Sequence, residues 1–223
     1  MTATETIKLI LPQDKLSSLL AECGISPQFV KSEDNLLDHK LTIIKNGLNE
    51  KSLERFLKAA SQYSYADGDT PAQAVFNKLR EKKVVLGIAE SLTGGAVCAE
   101  MVKIAGVSEC FFKGIVAYDN SVKISALGVK REDLSKYGAV SSVVAEQMAK
   151  GLLGDGVTVG ISTTGIAGPS GGSTEKPVGT VWFGYADGKN VNSRNMLFYG
   201  DRDSIRMQAV QYALFMLYKN LQD

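Results

Sequence analysis

Histidine and cysteine are both scarce in this sequence, which limits the chemistry that it can perform. The 223 residues contain one histidine, His39, and three cysteines, Cys23, Cys98 and Cys110. An odd number of widely spaced cysteines favours reduced, buried thiols over a disulfide framework. These four side chains are also a poor ligand set for zinc, and we expect neither a metal nor another cofactor. Because His39 lies in the N-terminal third, a hydrolase active site elsewhere would need a different base.

The sequence also lacks a charge imbalance and long apolar runs. Lysine plus arginine number 25 against 24 for aspartate plus glutamate, so the formal net charge is +1. A nearly neutral chain argues against a dedicated nucleic-acid binder. No run approaches the roughly 18 consecutive apolar residues of a membrane span, and the first eleven residues lack a basic leader with a small-residue cleavage site. We therefore expect a cytoplasmic protein without nucleic-acid or membrane partners.

Residues 1–68 predict a small, mainly helical N-terminal extension. Leu16, Leu19 and Leu20 recur at helical spacing, and a second apolar stripe runs from residue 51 to 63. The turn-rich Asp-Gly-Asp segment at 67–69 marks the boundary to a larger domain that covers residues 69–223. We interpret the extension as an oligomerisation or lid module, or as a decoration packed onto the larger domain.

Residues 69–223 alternate between helical and strand patterns, as α/β domains do. Apolar runs near 84–89, 111–118 and 157–163 predict buried strands separated by helices. The segments 178–186 and 191–198 flank Asp187-Gly188 and predict a hairpin. Asp201 is expected to cap a long final helix. The fold class is therefore α/β, with a sheet that mixes parallel and antiparallel strands.

Open α/β sheets bind ligands beyond the carboxyl ends of their strands, and three segments of this chain follow predicted strands. In the first segment Ser91 precedes Thr93, Gly94 and Gly95, which open a helix. The Ser91 hydroxyl can be a nucleophile while neighbouring N–H groups bind an oxyanion or a phosphate. The alternative is that Ser91 or Thr93 merely caps the helix.

The second segment runs from Tyr118 to Lys123. A lysine that is partly removed from water near a serine can act as its base, because desolvation lowers the lysine pKa. A solvated surface lysine is the alternative. The lack of a nearby histidine strengthens the interpretation of Lys123 as a base.

The third segment, residues 163–179, is long and rich in glycine and hydroxyl side chains. Backbone N–H groups in such a loop can wrap around a phosphate or a ribose. The loop lacks the Gly-Lys-Ser/Thr of a Walker motif and the Gly-x-Gly-x-x-Gly of a dinucleotide-binding turn. A flexible surface loop is the alternative, although loops of this length are often functional.

Together, these segments resemble the C-terminal domain of the CinA proteins over about residues 71–221. The matching blocks are Ala-Glu-Ser-Leu-Thr-Gly-Gly at 89–95, Phe-Lys-Gly-Ile-Val-Ala-Tyr-Asp-Asn at 112–120 with Lys123, Tyr-Gly-Ala-Val-Ser at 137–141, residues 164–179, and Gly-Asp-Arg at 200–202. The family includes the bacterial nicotinamide mononucleotide deamidases. The resemblance implies a three-layer α/β/α sandwich with a mixed, mostly parallel sheet.

The resemblance also implies a serine amidohydrolase with a lysine base. On that basis Ser91 attacks the substrate, Lys123 accepts its proton, and Tyr118 orients the pair or the substrate. Nicotinamide mononucleotide would be deamidated to nicotinic acid mononucleotide and ammonia without a metal. The implied substrate-binding residues are Thr93, Gly94, Gly95, Thr164, Gly165, Gly168, Gly171, Gly172, Ser173 and Arg202. The family also suggests a homodimer.

Two other functions fit the same residues. A catalytically silent relative would keep the nucleotide pocket for binding alone, and an amidase for another small amide would use the same nucleophile and base. Position 92 is leucine where the family often has cysteine, and we expect only a packing change there. The first 70 residues do not resemble the nucleotide-processing domain that precedes this module in full-length CinA proteins, so no pyrophosphatase activity is predicted.

Overall fold

The chain consists of two units, each built around its own sheet. The computed structural model describes residues 3–222. The first unit ends at Ala66 and the second begins at Asp67, two residues before the boundary expected from the turn-rich segment. Within residues 3–222, no helix is both long enough and apolar enough to cross a lipid bilayer.

The first unit contains a four-stranded antiparallel sheet, which corrects the expectation of a mainly helical extension. Its elements are β1 (Thr4–Ile10), α1 (Gln13–Glu22), β2 (Val30–Asn35), β3 (Asp38–Ile44), α2 (Glu50–Ala60) and β4 (Ser64–Tyr65). The strands lie in the order β2-β3-β1-β4, and each neighbouring pair is antiparallel. This β-α-β-β-α-β order is that of ferredoxin-like units.

The β2–β3 hairpin turns without the glycine or asparagine that usually signals such a turn in a sequence. Leu36 occupies the left-handed region instead, with φ 58°. Directly after the turn, His39 is fully buried. Its Nδ1 lies 2.6 Å from Asp34 Oδ1 and its Nε2 lies 2.9 Å from Leu11 O. Both ring nitrogens of the chain's histidine therefore have partners in the first unit.

The second unit is an α/β domain with a five-stranded mixed sheet. Its elements are α3 (Pro71–Lys82), β5 (Leu86–Glu90), α4 (Ala96–Val102), β6 (Phe111–Val116), α5 (Asn120–Leu127), α6 (Arg131–Tyr137), α7 (Ser142–Lys150), β7 (Val159–Gly165), β8 (Thr180–Asp187), β9 (Val191–Leu197) and α8 (Arg202–Asn220). The strand order is β6-β5-β7-β8-β9. Strand β5 runs parallel to β6 and β7, and β8 runs antiparallel to β7 and β9.

Helices cover both faces of this sheet, which confirms the predicted fold class. Helices α3, α4 and α8 pack together, while α5 and α6 pack against α7. Because β5, β6 and β7 are parallel, their carboxyl ends lie at one edge of the sheet. The segments that follow these three strands are therefore brought to the same edge.

Helix α7 approaches the sheet very closely at residues without a side chain. A Cβ atom added to Gly184 would lie 2.1 Å from Ala145 O, and one added to Gly160 would lie 2.3 Å from Ala149 O. Between them, Ser162 Oγ donates a hydrogen bond to Ala145 O at 2.6 Å. Since the contacted atoms belong to the helix backbone, they cannot move aside without shifting α7 itself.

We predict that Gly184→Ala destabilises the protein by about 1–3 kcal/mol, the range typical of overpacked cores. Gly188→Ala is the matched control, because a Cβ at Gly188 has no heavy atom within 4 Å. The free energy of unfolding is measured by urea denaturation for both variants. Equal midpoints for the two variants would contradict the close contact between α7 and β8.

Candidate active site

A cavity of about 300 Å³ lies where β5 and β7 end. Its walls come from the end of β7, from the segments that follow β5, β6 and β7, from the segment between α6 and α7, and from the first residue of α8. The lining residues are Ser91, Leu92, Tyr118, Asn120, Lys123, Ala139, Val140, Thr164, Gly165, Ile166, Ala167, Gly168, Ser170, Gly171 and Arg202. The three segments that the sequence placed beyond strands therefore meet at one site.

Ser91 is the first residue after β5, the strand that lies between β6 and β7. Its N–H donates a hydrogen bond to Thr163 O at 2.9 Å, which ties it to the end of β7. The residue is 9% exposed, at the wall of the cavity. A hydroxyl placed there is accessible to a small molecule while its backbone is held by the sheet.

Lys123 is 1% exposed and projects from α5 into the same cavity wall. Helix α5 begins where Asp119 caps it by accepting a hydrogen bond from Ser121 N at 2.8 Å. Burial lowers the pKa of Lys123, and the negative charge of Asp119 opposes this shift only in part. The solvated surface lysine considered from the sequence is therefore not what the structure shows.

The hydrogen bonds of Lys123 leave one direction of its amine open. Nζ donates to Ala117 O at 2.7 Å and to Tyr118 O at 2.9 Å. A neutral amine has two N–H groups and one lone pair, so two carbonyl acceptors leave the lone pair as its third direction. An amine in this state can accept a proton from a group in the cavity.

Tyr118 contacts Lys123 through its backbone carbonyl rather than through its phenol. Tyr118 is 65% exposed, although it lines the cavity. The contact between Tyr118 and Lys123 is therefore made by the main chain, and the expected orienting role of Tyr118 stays a prediction. The aromatic ring is left at the solvent-facing side of the cavity.

Thr93, Gly94 and Gly95 are not among the residues that line the cavity. Gly94 N donates to Ser91 O at 3.2 Å, and Gly95 N donates to Glu90 Oε2 at 2.9 Å. Thr93 is fully buried, with its hydroxyl 2.7 Å from that of Thr163. The N–H groups of both glycines therefore hold the turn together, and the expectation that these three residues bind substrate or an oxyanion stays a prediction.

The glycine-rich loop after β7 lies partly in the cavity and partly away from it. Gly165, Gly168 and Gly171 line the cavity, as does Thr164, whose hydroxyl donates to Ala139 O at 2.8 Å. Arg202 reaches the same loop, since its Nη1 donates to Gly168 O at 2.6 Å. These residues form the part of the cavity wall that comes from the end of β7, the glycine-rich loop and the start of α8.

Gly172 and Ser173 were expected to bind substrate, but they lie outside the cavity lining. Ser173 closes a turn with Lys176, because Ser173 N donates to Lys176 O at 2.9 Å and Lys176 N donates to Ser173 Oγ at 3.1 Å. A Cβ at Gly172 would lie 2.8 Å from Val178 N. Both residues therefore shape the loop, and their expected role in substrate binding stays a prediction.

Asn120, Ser170 and Glu90 are site residues that the sequence reading did not select. Asn120 lines the cavity three residues before Lys123, a spacing that places both on one face of a helix and could have identified it. Ser170 lines the cavity from the glycine-rich loop. Glu90 is a buried carboxylate directly before Ser91; the signal for it is an acidic residue that ends an apolar strand.

No group of three or more histidine, cysteine, aspartate or glutamate side chains suited to a metal ion occurs in the part of the chain from residue 3 to 222. The cysteines are free thiols, of which Cys23 and Cys110 are buried. Burial and the neighbouring Glu90 carboxylate raise the pKa of Cys98, so its thiol stays protonated. The polar chemistry of the cavity therefore rests on hydroxyl, amine, amide and guanidinium groups.

The fold and the cavity define a mixed-sheet α/β domain with a serine and a buried lysine at its strand ends. The model of the CinA C-terminal domain matches residues 68–221 of this chain. The chain therefore belongs to the CinA family, as the sequence motifs predicted.

Relatives from several bacteria are similar to this chain. A CinA-like protein from Kosmotoga olearia is 46% identical over 156 residues, covering 69% of this chain and 38% of the relative. A CinA-like protein from Fusobacterium nucleatum is 38% identical over 210 residues, covering 92% of this chain and 52% of the relative. The chain thus spans 38% to 52% of the length of these relatives, and the second match extends into the first unit.

Solved structures of the CinA superfamily resemble this chain over about 69% to 77% of its length. The competence/damage inducible protein CihA from Agrobacterium tumefaciens matches with a TM-score of 0.65 and 38% identity, covering 69% of this chain and 94% of that protein. A CinA superfamily protein from Escherichia coli matches with a TM-score of 0.65 and 30% identity, covering 77% and 98%. These likenesses confirm the fold.

We predict that Lys123→Met changes the pH dependence of stability in one direction. Because the folded pKa of Lys123 is lowered, the unfolded chain binds more protons between that pKa and about 10.4, so wild-type stability rises with pH in this window. Methionine lacks this proton. The free energy of unfolding of wild type should therefore rise relative to that of the variant as pH increases, by at most about 1.4 kcal/mol per pH unit.

Urea denaturation at a series of pH values measures this difference. Lys103→Met is the control, because the Lys103 side chain is 66% exposed and forms an ion pair with Glu100 at the end of α4. Stability curves for wild type and Lys123→Met that stay parallel across the window would show that Lys123 keeps an ordinary pKa.

Proposed function

We propose that this protein is an amidohydrolase that removes ammonia from nicotinamide mononucleotide, with Ser91 as nucleophile and Lys123 as base. The observation that carries the proposal is a buried lysine with a lowered pKa in the same small cavity as an accessible serine. A hydroxyl at its ordinary pKa is a weak nucleophile and needs an adjacent base. The sole histidine of the chain is engaged elsewhere.

In the proposed reaction, Ser91 Oγ attacks the carboxamide carbon as Lys123 Nζ accepts the hydroxyl proton. Lys123 then donates that proton to the departing nitrogen, which leaves as ammonia. A water molecule, deprotonated by Lys123 in turn, hydrolyses the acyl-serine ester and releases the carboxylate product. The Ala117 and Tyr118 carbonyls hold the amine throughout, because they accept its N–H groups in the structure.

The oxyanion of the tetrahedral intermediate needs hydrogen-bond donors, and the N–H groups of Gly94 and Gly95 already donate to Ser91 O and to Glu90 Oε2. Leu92 and Asn120 are the candidates on the cavity wall. The backbone N–H of Leu92 follows the nucleophile directly, as in other serine hydrolases. The carboxamide of Asn120 lies on the face of α5 that carries Lys123. We assign the oxyanion to these two donors.

Arg202 and the glycine-rich loop support a phosphorylated substrate. A guanidinium has five N–H donors, and the structure commits one nitrogen of Arg202 to Gly168 O. The remaining donors are suited to a phosphate group, which Arg binds in a charge-assisted way. Gly168 and Gly171 allow the loop backbone to come close to a ribose or phosphate, since both have positive φ values.

The test is ammonia release from nicotinamide mononucleotide by the purified chain. Ser91→Ala and Lys123→Met should each lower kcat on the order of 10³-fold or more, because nucleophile and base act as a unit. Ser135→Ala and Lys103→Met are the controls, since both residues are exposed on helices away from the cavity lining. Nicotinamide riboside, which lacks the phosphate, should be a weaker substrate with a higher KM.

Three outcomes would contradict the proposal in whole or in part. Binding of the nucleotide without ammonia release would favour a catalytically silent binding module. Undiminished turnover by Ser91→Ala or Lys123→Met would exclude the assigned nucleophile or base. Turnover of other small amides at higher kcat/KM would keep the chemistry and replace the substrate.

A further inference from the structure

Glu90 is a fully buried carboxylate at the last position of β5, directly before Ser91. Its Oε2 accepts hydrogen bonds from Gly95 N at 2.9 Å and Val97 N at 3.1 Å. Its Oε1 accepts a third from Cys98 N at 2.8 Å. One side chain therefore collects three backbone N–H groups from the start of α4.

These contacts compensate for a helix start that has no cap of its own. The residue before α4 is Gly95, which has no side chain to accept the first N–H groups. A buried carboxylate is unfavourable unless it is fully hydrogen-bonded, and the amide groups at a helix start are favourable partners for a negative charge. Glu90 and the α4 terminus thus satisfy each other, and neither is stable in this geometry alone.

The contacts of Glu90 constrain the residues between Glu90 and Gly95, the first of which is Ser91. The backbone of Glu90 is held in the sheet, since its carbonyl accepts a hydrogen bond from Ala117 N at 2.8 Å. Its side chain meanwhile holds Gly95. The 91–94 turn is therefore closed at both ends by one residue, and Ser91 cannot shift along the cavity wall without breaking this closure.

We propose that Glu90 is a positioning residue that holds Ser91 in the geometry for attack. Glu90 is absent from the cavity lining and fully buried, so it acts through the turn and not by touching substrate. Misplacing a reacting atom by about 1 Å can lower a rate on the order of 10²-fold. The inference rests on the proposed function in taking Ser91 as the nucleophile.

Glu90→Gln tests this with a minimal change in shape. The glutamine oxygen can still accept from Gly95 and Val97, but its NH₂ group then faces the N–H of Cys98, and two donors cannot bond to each other. Glu100→Gln on the same helix is the control, because the Glu100 carboxylate is paired with Lys103 near the surface.

Two readouts are measured below the melting temperature of each variant. The first is kcat and KM for ammonia release from nicotinamide mononucleotide, and we expect Glu90→Gln to lower kcat about 10- to 100-fold with KM within twofold of wild type. The second is the rate at which a small sulfonyl fluoride modifies Ser91, followed by the mass of the protein. We expect this rate to fall by a similar factor, and both rates to stay unchanged in Glu100→Gln.

The second readout separates this inference from the substrate assignment. If wild type does not hydrolyse the nucleotide but Ser91 is modified more slowly in Glu90→Gln, the substrate is wrong and the positioning role stands. If the folded Glu90→Gln variant is modified and turns over at wild-type rates, the positioning role is overturned. Should Glu90→Gln not fold, Glu90→Asp is measured in its place, because it keeps the charge but withdraws the oxygens from α4. A wild-type rate of Ser91 modification in Glu90→Asp would overturn the inference equally.

Discussion

The hydrogen bonds from the buried Lys123 amine to the Ala117 and Tyr118 carbonyls are the interaction on which the site depends. An amine in this position has lost most of its hydration, so burial favours the uncharged form and lowers its pKa. The carbonyls come from the segment that links β6 to α5, and Asp119 fixes the start of that helix. Strand, cap and helix together hold one buried amine at the cavity.

The parallel part of the sheet explains why distant residues meet there. Strand β5 is flanked by β6 and β7, and each of these three strands ends at the same edge. The segments after them supply Ser91, Lys123 and the Thr164 loop in that order. The two hydrogen bonds that connect Ser91 to Thr163 and Ala117 to Glu90 join these neighbouring ends into one wall.

Much of the second unit could be predicted from the sequence because its signals are local. Apolar runs marked the strands, Asp-Gly marked the β8–β9 hairpin, and the motifs after the strands identified the family, which the CinA C-terminal domain match confirms. Each of these motifs contributes residues to the lining of the cavity. Their roles in substrate binding and catalysis stay predictions.

The features that the sequence does not predict depend on contacts between distant positions or on an unusual backbone conformation. The β2–β3 hairpin turns at Leu36, a residue type that does not indicate a turn. The sequence therefore predicts a mainly helical extension where the first unit contains a sheet. The sequence predicts that the N–H of Gly95 is available to a ligand, whereas in the structure it donates a hydrogen bond to Glu90. A sequence shows which donors exist, but not which acceptors have already engaged them.

Titration of the Lys123 amine measures whether it can act as a base for Ser91. Nitrogen-15 NMR of lysine side chains, with Lys123→Met to assign the signal, gives its pKa in the folded protein. We expect one lysine resonance, missing from the variant, that titrates well below the usual value of about 10.4. A Lys123 resonance that titrates together with the exposed lysines would exclude the proposed base, because the amine would then be charged and unable to accept a proton from Ser91.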